Sequence, residues 1–226
     1  MSSCPSRASK RPSKTARRGP RETFAERRAR RAEVDDPTVV LEAALQFLEA
    51  RHRSVAEVRR RLTGAGYREE LVTGAIDRLS ELGMLDDEAF ATQWVESRDR
   101  ARPRGERALR TELAQRGVDR AVVDATLVER RDRMLTDADA VEPAGMNGDR
   151  GSPDEAAARR LIERREASLR RYLDPRERRN RAYALLARNG FDPATASEVA
   201  RRWVAEGADE VDADAEPDVR SGIDET

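Results

Sequence analysis

The chain has a single cysteine, Cys4, and a single histidine, His52, in 226 residues. One thiol cannot close an internal disulfide, so the fold must be held by packing alone. One histidine, set between Arg51 and Arg53 at a helix end, reads as a structural side chain rather than a catalytic base. No cluster with metal-ligand spacing, Gly-rich phosphate loop or nucleophile elbow occurs, which removes the signatures of an enzyme and implies no metal or cofactor. Aromatics are scarce, with four Phe, three Tyr and two Trp, and this argues against one large core and for small units packed side by side. No apolar run approaches the length of a membrane span. The expectation is a soluble protein of a reducing, cytoplasmic compartment.

Charge is abundant, at 39% of residues, and it balances to zero only over the whole chain. Residues 1–31 hold eleven Lys/Arg against two Glu, a net +9, and residues 205–226 hold nine Asp/Glu against Arg220, a net −8. The middle is close to neutral. The near-neutral balance therefore hides a basic arm and an acidic tail. The arm is rich in Arg and Ser and poor in acid, as organelle transit peptides are, but it lacks the apolar stretch of a secretory signal. It reads as an unstructured basic arm.

From Asp36 to Glu206 the apolar residues recur at three and four positions, with no convincing period-two run, which predicts an all-α fold. A first helix is expected over about 38–51, with Val39, Val40, Ala43, Ala44, Phe47 and Leu48 on one stripe. Ser54 and Glu57 have the spacing of a capping box ahead of Val58 and Leu62. A third helix over about 68–82 carries Leu71, Val72, Ala75, Ile76, Leu79 and Leu82 on its inner face, and Gly83 ends it. Asp86 or Asp87 caps a helix bearing Phe90, Trp94 and Val95; as a carboxylate pair they read as caps rather than as acid–base or metal groups. Leu109 and Leu113 mark the next helix, and Asp119 caps one with Val122, Val123, Thr126 and Leu127. Residues 135–152 are small, acidic and rich in Gly and Pro. Ser152-Pro153, Asp174-Pro175 and Asp192-Pro193 each read as an N-cap and first helical residue, the first opening a helix with Ala158, Leu161, Ile162, Leu169 and Tyr172 inward and Arg165 snorkelling.

An internal repeat organises these helices. Leu62-x-x-x-Gly66-Tyr67, Leu113-x-x-x-Gly117-Val118 and Leu186-x-x-x-Gly190-Phe191 recur at offsets of 51 and 73 residues. Each is a helix-stop signal, with glycine in the left-handed region and the next apolar residue folded back on the leucine. At the same offsets Val58 maps to Leu109 and Ala182, Val72 to Val123 and Ala196, and Ile76 to Leu127 and Ala200. Three tandem three-helix modules follow, forming an elongated curved array. Residues 1–35 are expected as a disordered basic arm, 36–134 as modules 1 and 2, 135–152 as a flexible acidic linker, 153–206 as module 3 and 207–226 as a disordered acidic tail.

The stretch Arg53-Ser54, Glu57-Val58-Arg59-Arg60-Arg61-Leu62 and Gly66-Tyr67, followed by Leu82-Gly83-Met84-Leu85-Asp86-Asp87-Glu88-Ala89-Phe90-Ala91, resembles the first repeat and junction of RecX proteins. Arg98, Gly105, Leu109-Arg110, Leu113 and Arg116-Gly117-Val118 are similar to the second repeat, and Leu186 through Phe191 to the third. The resemblance covers about 40–205 and implies a non-enzymatic regulator of RecA that lies in the groove of the RecA–DNA filament and inhibits its activity. The implied partners are the RecA filament and the single- or double-stranded DNA within it, with no membrane and with the chain a monomer. The other reading is a helical protein acting directly on nucleic acid without RecA. Candidate partner contacts are Arg60, Arg98 and an outward ridge of Arg104, Arg107 and Arg110, set opposite Leu109 and Leu113. The competing reading of each is a solvated or locally paired side chain.

Overall fold

The computed structural model describes residues 22–139 and 152–213, with side chains to 133 and 207 respectively. Every element among the described residues is a helix. Module 1 consists of α2 (Pro37–Leu48), α3 (Val55–Ala65) and α4 (Glu69–Glu81), and module 2 of α5 (Asp87–Ala101), α6 (Glu106–Gln115) and α7 (Arg120–Asp139). Module 3 has α8 (Pro153–Glu163), the single turn α9 (Glu166–Leu169), α10 (Pro175–Arg188) and α11 (Pro193–Ala213). One more helix, α1 (Phe24–Ala32), precedes them.

Each module has its own core. Val40, Val58, Leu62, Val72, Ile76 and Leu79 belong to the first, Phe90, Val95, Leu109, Leu113, Val123 and Leu127 to the second, and Leu161, Ile162, Leu186, Phe191, Val199 and Ala200 to the third. The positions equated by the repeat are buried together: Leu62, Leu113 and Leu186 are each at most 2% exposed, and Ile76, Leu127 and Ala200 at most 3%. Three thin cores replace one thick one because the chain has too few large apolar side chains to fill a single centre. Gly66, Gly117 and Gly190 have φ of 105°, 79° and 83°, and the following Tyr67, Val118 and Phe191 donate their N–H back to Leu62, Leu113 and Leu186, as the repeat pattern requires.

Local corrections have local causes. The basic arm is helical over Phe24–Ala32, where Thr23 and Glu26 form a reciprocal capping box and Glu22 pairs with Arg30 at 3.0 Å; residues 1–21 lie outside the described residues. The linker begins later than expected, since α7 runs to Asp139, and the tail later too, since α11 runs to Ala213. The remainders, 140–151 and 214–226, are not among the described residues. At Ser54 only half the expected capping box forms: its Oγ accepts from the Glu57 N–H, while the Glu57 carboxylate turns to Arg51 and Arg116. Val39, expected on the inner stripe, is 40% exposed because α2 turns Val40 and Ala44 inward, and Leu82, expected on the inner face of α4, is 51% exposed because the helix ends at Glu81 and leaves it as the C-cap. The helix expected to run from Pro153 through Tyr172 stops at Glu163, so Arg165 becomes the exposed N-cap of α9 instead of a snorkelling core residue.

Candidate functional site

The modules meet through a repeated junction. Asp87, the first residue of α5, does not cap its own helix; Asp86 does, accepting from Glu88 and Ala89. Asp87 instead accepts from the Val55 N–H at the start of α3, 2.9 Å away and one module back. Asp154 of α8 repeats this on the Glu106 N–H of α6, also at 2.9 Å. In both cases a carboxylate of the later module satisfies an orphan donor at the positive end of the middle helix of the earlier one. Burial raises the Asp87 carboxyl above the ordinary value, and the Val55 N–H only partly offsets it. Asp154 is raised for the same first reason, with the Glu106 N–H and Arg130 opposing.

The turn glycines complete the contact. A Cβ added at Gly117 would overlap that of Ala56, and one at Gly190 would overlap Ala108. Ser54 Oγ donates to the Arg116 carbonyl at 2.6 Å, and the Gly105 N–H donates to the Asn189 carbonyl at 3.1 Å. Junction 2–3 is further fixed by Arg130, 7% exposed, which binds Asp99 at 2.8 Å and Asp154 at 2.6 Å. Arg164, the C-cap of α8, donates to the carbonyls of Arg100 and Ala101, closing the exposed end of α5.

Across these junctions runs a ladder of arginines, aromatics and carboxylates. It begins in module 1, where the Arg53 guanidinium lies 4.2 Å from the Phe47 ring centroid; burial, and then repulsion from Arg51, push Arg53 below the usual arginine value. Glu57 receives Arg116 at 2.6 Å and Arg51 at 3.4 Å. Arg116 and Arg98 lie 3.7 and 4.0 Å from the Trp94 ring centroid, within the range of cation–π attraction. Glu112 accepts from Trp94 Nε1 at 3.0 Å and from Arg98 at 2.7 Å, and pairs with Arg104 at 3.5 Å. Arg104 then donates to Asn189 Oδ1 at 2.6 Å, which carries the ladder into module 3. Five guanidiniums face two carboxylates along it, so the strip is net positive.

The five candidate arginines therefore divide. Arg98 and Arg104 are ladder members: Arg98 stays within module 2, on Trp94 and Glu112, and Arg104 ties module 2 to module 3 through Asn189. Arg110 is held on its own module by Glu106 and Asp124, which raise the guanidinium, while Arg110 in turn holds the Asp124 carboxyl below its ordinary value. The expected outward ridge of Arg104, Arg107 and Arg110 is accordingly not a free one. Arg107 is exposed and its guanidinium makes no hydrogen bond or ion pair among the described residues, and the exposed Arg60 guanidinium has only the carbonyls of Ala56 and Gln115 as partners. Two shallow grooves open beside the ladder, about 360 Å³ next to Trp94 and about 290 Å³ between Arg107 and the exposed Arg188. Trp94, Glu112, Arg116 and Asn189 were not among the expected site residues. The Trp94 to Arg98 spacing of four, one helical turn, was the only local signal for any of them. No group of side chains among the described residues could hold a metal ion, and no described helix is long and apolar enough to cross a membrane.

Comparison with known proteins agrees with this architecture. The first, second and third three-helix domains of RecX match residues 41–79, 86–127 and 153–200. The regulatory protein RecX of Mycolicibacterium vanbaalenii is 36% identical over 143 residues, covering 58% of this chain and 77% of that protein. The regulatory protein RecX of Mycobacterium tuberculosis is 35% identical over 155 residues, covering 69% and 80%. The crystal structure of RecX from Lactobacillus salivarius shares the fold, with a TM-score of 0.59 at 18% identity over 74% of this chain and 96% of that one. With all three family domains in order, each coinciding with one of the helical modules, the chain belongs to the RecX family of regulatory proteins.

Proposed function

We propose that the chain binds the RecA recombinase filament and inhibits it, as a cytoplasmic regulator acting in homologous recombination, DNA repair and the SOS response. Family membership supports the regulatory role. The observation that carries the rest is the registration of three modules by one ladder, with exposed Arg107 and Arg188 lining one groove and exposed Arg60 on the carbonyl of Gln115, which lines both. Cations at fixed positions on a multi-module array suit an extended, periodic, acidic partner, because each module adds a contact without a further loss of rigid-body freedom.

Arg104 and Arg110 are unsuitable probes, since reversing either charge would break an internal pair. The test is Arg60→Glu combined with Arg107→Glu, both exposed. The expected outcome is parental melting, weaker inhibition of RecA ATPase and a shallower salt dependence of binding. Undiminished inhibition across a salt series would place the contact on another face. The reading in which the chain acts on nucleic acid alone rests on the net +9 of residues 1–31. It requires inhibition to scale with DNA concentration; the RecA reading requires it to persist at chain concentrations well below RecA.

A further inference from the structure

Both module junctions place a turn glycine of the later module on the first turn of the middle helix of the earlier one: Gly117 on Ala56, Gly190 on Ala108. Gly66 is the same turn in module 1, and no module precedes it among the described residues. Its space is nonetheless taken. A Cβ at Gly66 would lie 2.6 Å from the Arg28 carbonyl oxygen and 3.1 Å from the Arg28 Cα, backbone atoms of α1. Ala25, Arg28, Ala29 and Ala32 of α1 face Thr63, Gly66 and Tyr67 across this contact, and the Arg31 guanidinium sits 5.6 Å from the Tyr67 ring centroid.

The opposite end of the array carries the complementary observation. The middle helices α3 and α6 each offer the next module an N–H at their first residue, from Val55 to Asp87 and from Glu106 to Asp154. In α10 that residue is Pro175, which has no N–H, and the preceding Asp174 spends its carboxylate on Arg176 and Glu177 of its own helix. A module from a second copy would find no donor there for its own starting Asp36, which in any case accepts from Thr38.

We propose that the Gly66 turn is a module-docking surface occupied in cis by α1, which stands in for the middle helix of a preceding module. Repeat arrays need terminal elements that shield the last interface, and α1 supplies one from a segment rich in arginine. The seat is light: no residue of α1 is fully buried, and the helix is held together by its own capping box and the Glu22–Arg30 pair. The surface is thus closed against copies of the chain without being permanently sealed, and the C-terminal module is built to refuse the matching contact.

The test uses the full chain. Ala29→Pro breaks α1 without touching module 1, and Ala25→Glu with Ala29→Glu keeps the helix but fills its docking face. Both variants should speed amide hydrogen exchange at Gly66 and Tyr67 roughly tenfold, leaving Gly117, Val118, Gly190 and Phe191 at parental rates. Both should remain monomeric by sedimentation velocity, because Pro175 denies a second copy its contact. Parental exchange at Gly66 and Tyr67, once circular dichroism shows that Ala29→Pro has lost α1, would overturn the assignment. Concentration-dependent association of either variant would overturn it as well, since a second copy would then be the occupant of the turn.

Discussion

Removing Arg130 isolates the electrostatics of the second junction. Its guanidinium is 7% exposed and donates three hydrogen bonds, two to Asp99 at 2.8 and 2.9 Å and one to Asp154 at 2.6 Å. Burial alone would lower Arg130; the two carboxylates outweigh it and hold the guanidinium above its ordinary value. In Arg130→Met the aliphatic volume is largely kept, but Asp154, 14% exposed, loses its counter-ion and retains only the Glu106 N–H. Breaking a buried pair from one side costs about 3–5 kcal/mol. Asp99 is 23% exposed and regains water, so the lower end, about 3 kcal/mol, applies. For a chain of this length that lowers the melting temperature by roughly 6–12 °C. The pH dependence gives a second check. Asp154 has its folded pKa raised by burial even with Arg130 present, and loss of Arg130 raises it further. A carboxyl raised in the folded state favours folding at low pH and loses that contribution as pH rises through the folded pKa. The cost of Arg130→Met should therefore be greatest at neutral pH and shrink as the pH falls into the range where the raised Asp154 carboxyl takes up its proton. Denaturant melts at several pH values measure both. A cost under about 1 kcal/mol, or one that does not change with pH, would show that the junction is held by packing and that the buried charges are incidental.

The glycine turns allow a matched comparison. Gly83→Ala, at φ 66° with nothing within 4 Å of the new Cβ, should cost only the backbone term of about 1–2 kcal/mol. Gly117→Ala, at φ 79° against Ala56, should cost distinctly more in the same melts; equal costs would mean that the modules part freely at this turn. At the first junction, Asp87→Ala leaves the Val55 N–H unpaired and should destabilise by about 1–3 kcal/mol. Asp87→Asn keeps an acceptor and removes a charge that burial disfavours, so it should stay within about 1 kcal/mol of the parent. An Asn variant as unstable as the Ala variant would show that the carboxylate charge, not the hydrogen bond, joins the modules.

Within each module the sequence by itself determined most of what was found. The Leu-x-x-x-Gly-apolar turns, the Asp-Pro and Ser-Pro starts and the three- and four-residue spacing are local, and local physics fixes caps, helix ends and inner faces. Gly66, Gly117 and Gly190 were legible for that reason. So was the repeat, because the same positions fill the same three-helix core each time. The role of each arginine was not legible. Arg104, Arg107 and Arg110 recur every three residues and have divergent fates: Arg104 lies ahead of Gly105, the N-cap of α6, and reaches Asn189 at the end of α10, Arg107 meets open solvent, and Arg110 reaches Asp124 on α7. Asp86 and Asp87 are adjacent and identical in type, yet one caps its own helix and the other a helix 32 residues earlier. Docking of α1 was hidden likewise: Ala25, Ala29 and Ala32 do share a face, but such small side chains among arginines promise little burial, and the surface they meet exists only after module 1 has folded. Periodicity reports which face of a helix turns inward. Only the packed array decides which charged side chain finds a partner, because that depends on distances between modules that no local spacing encodes.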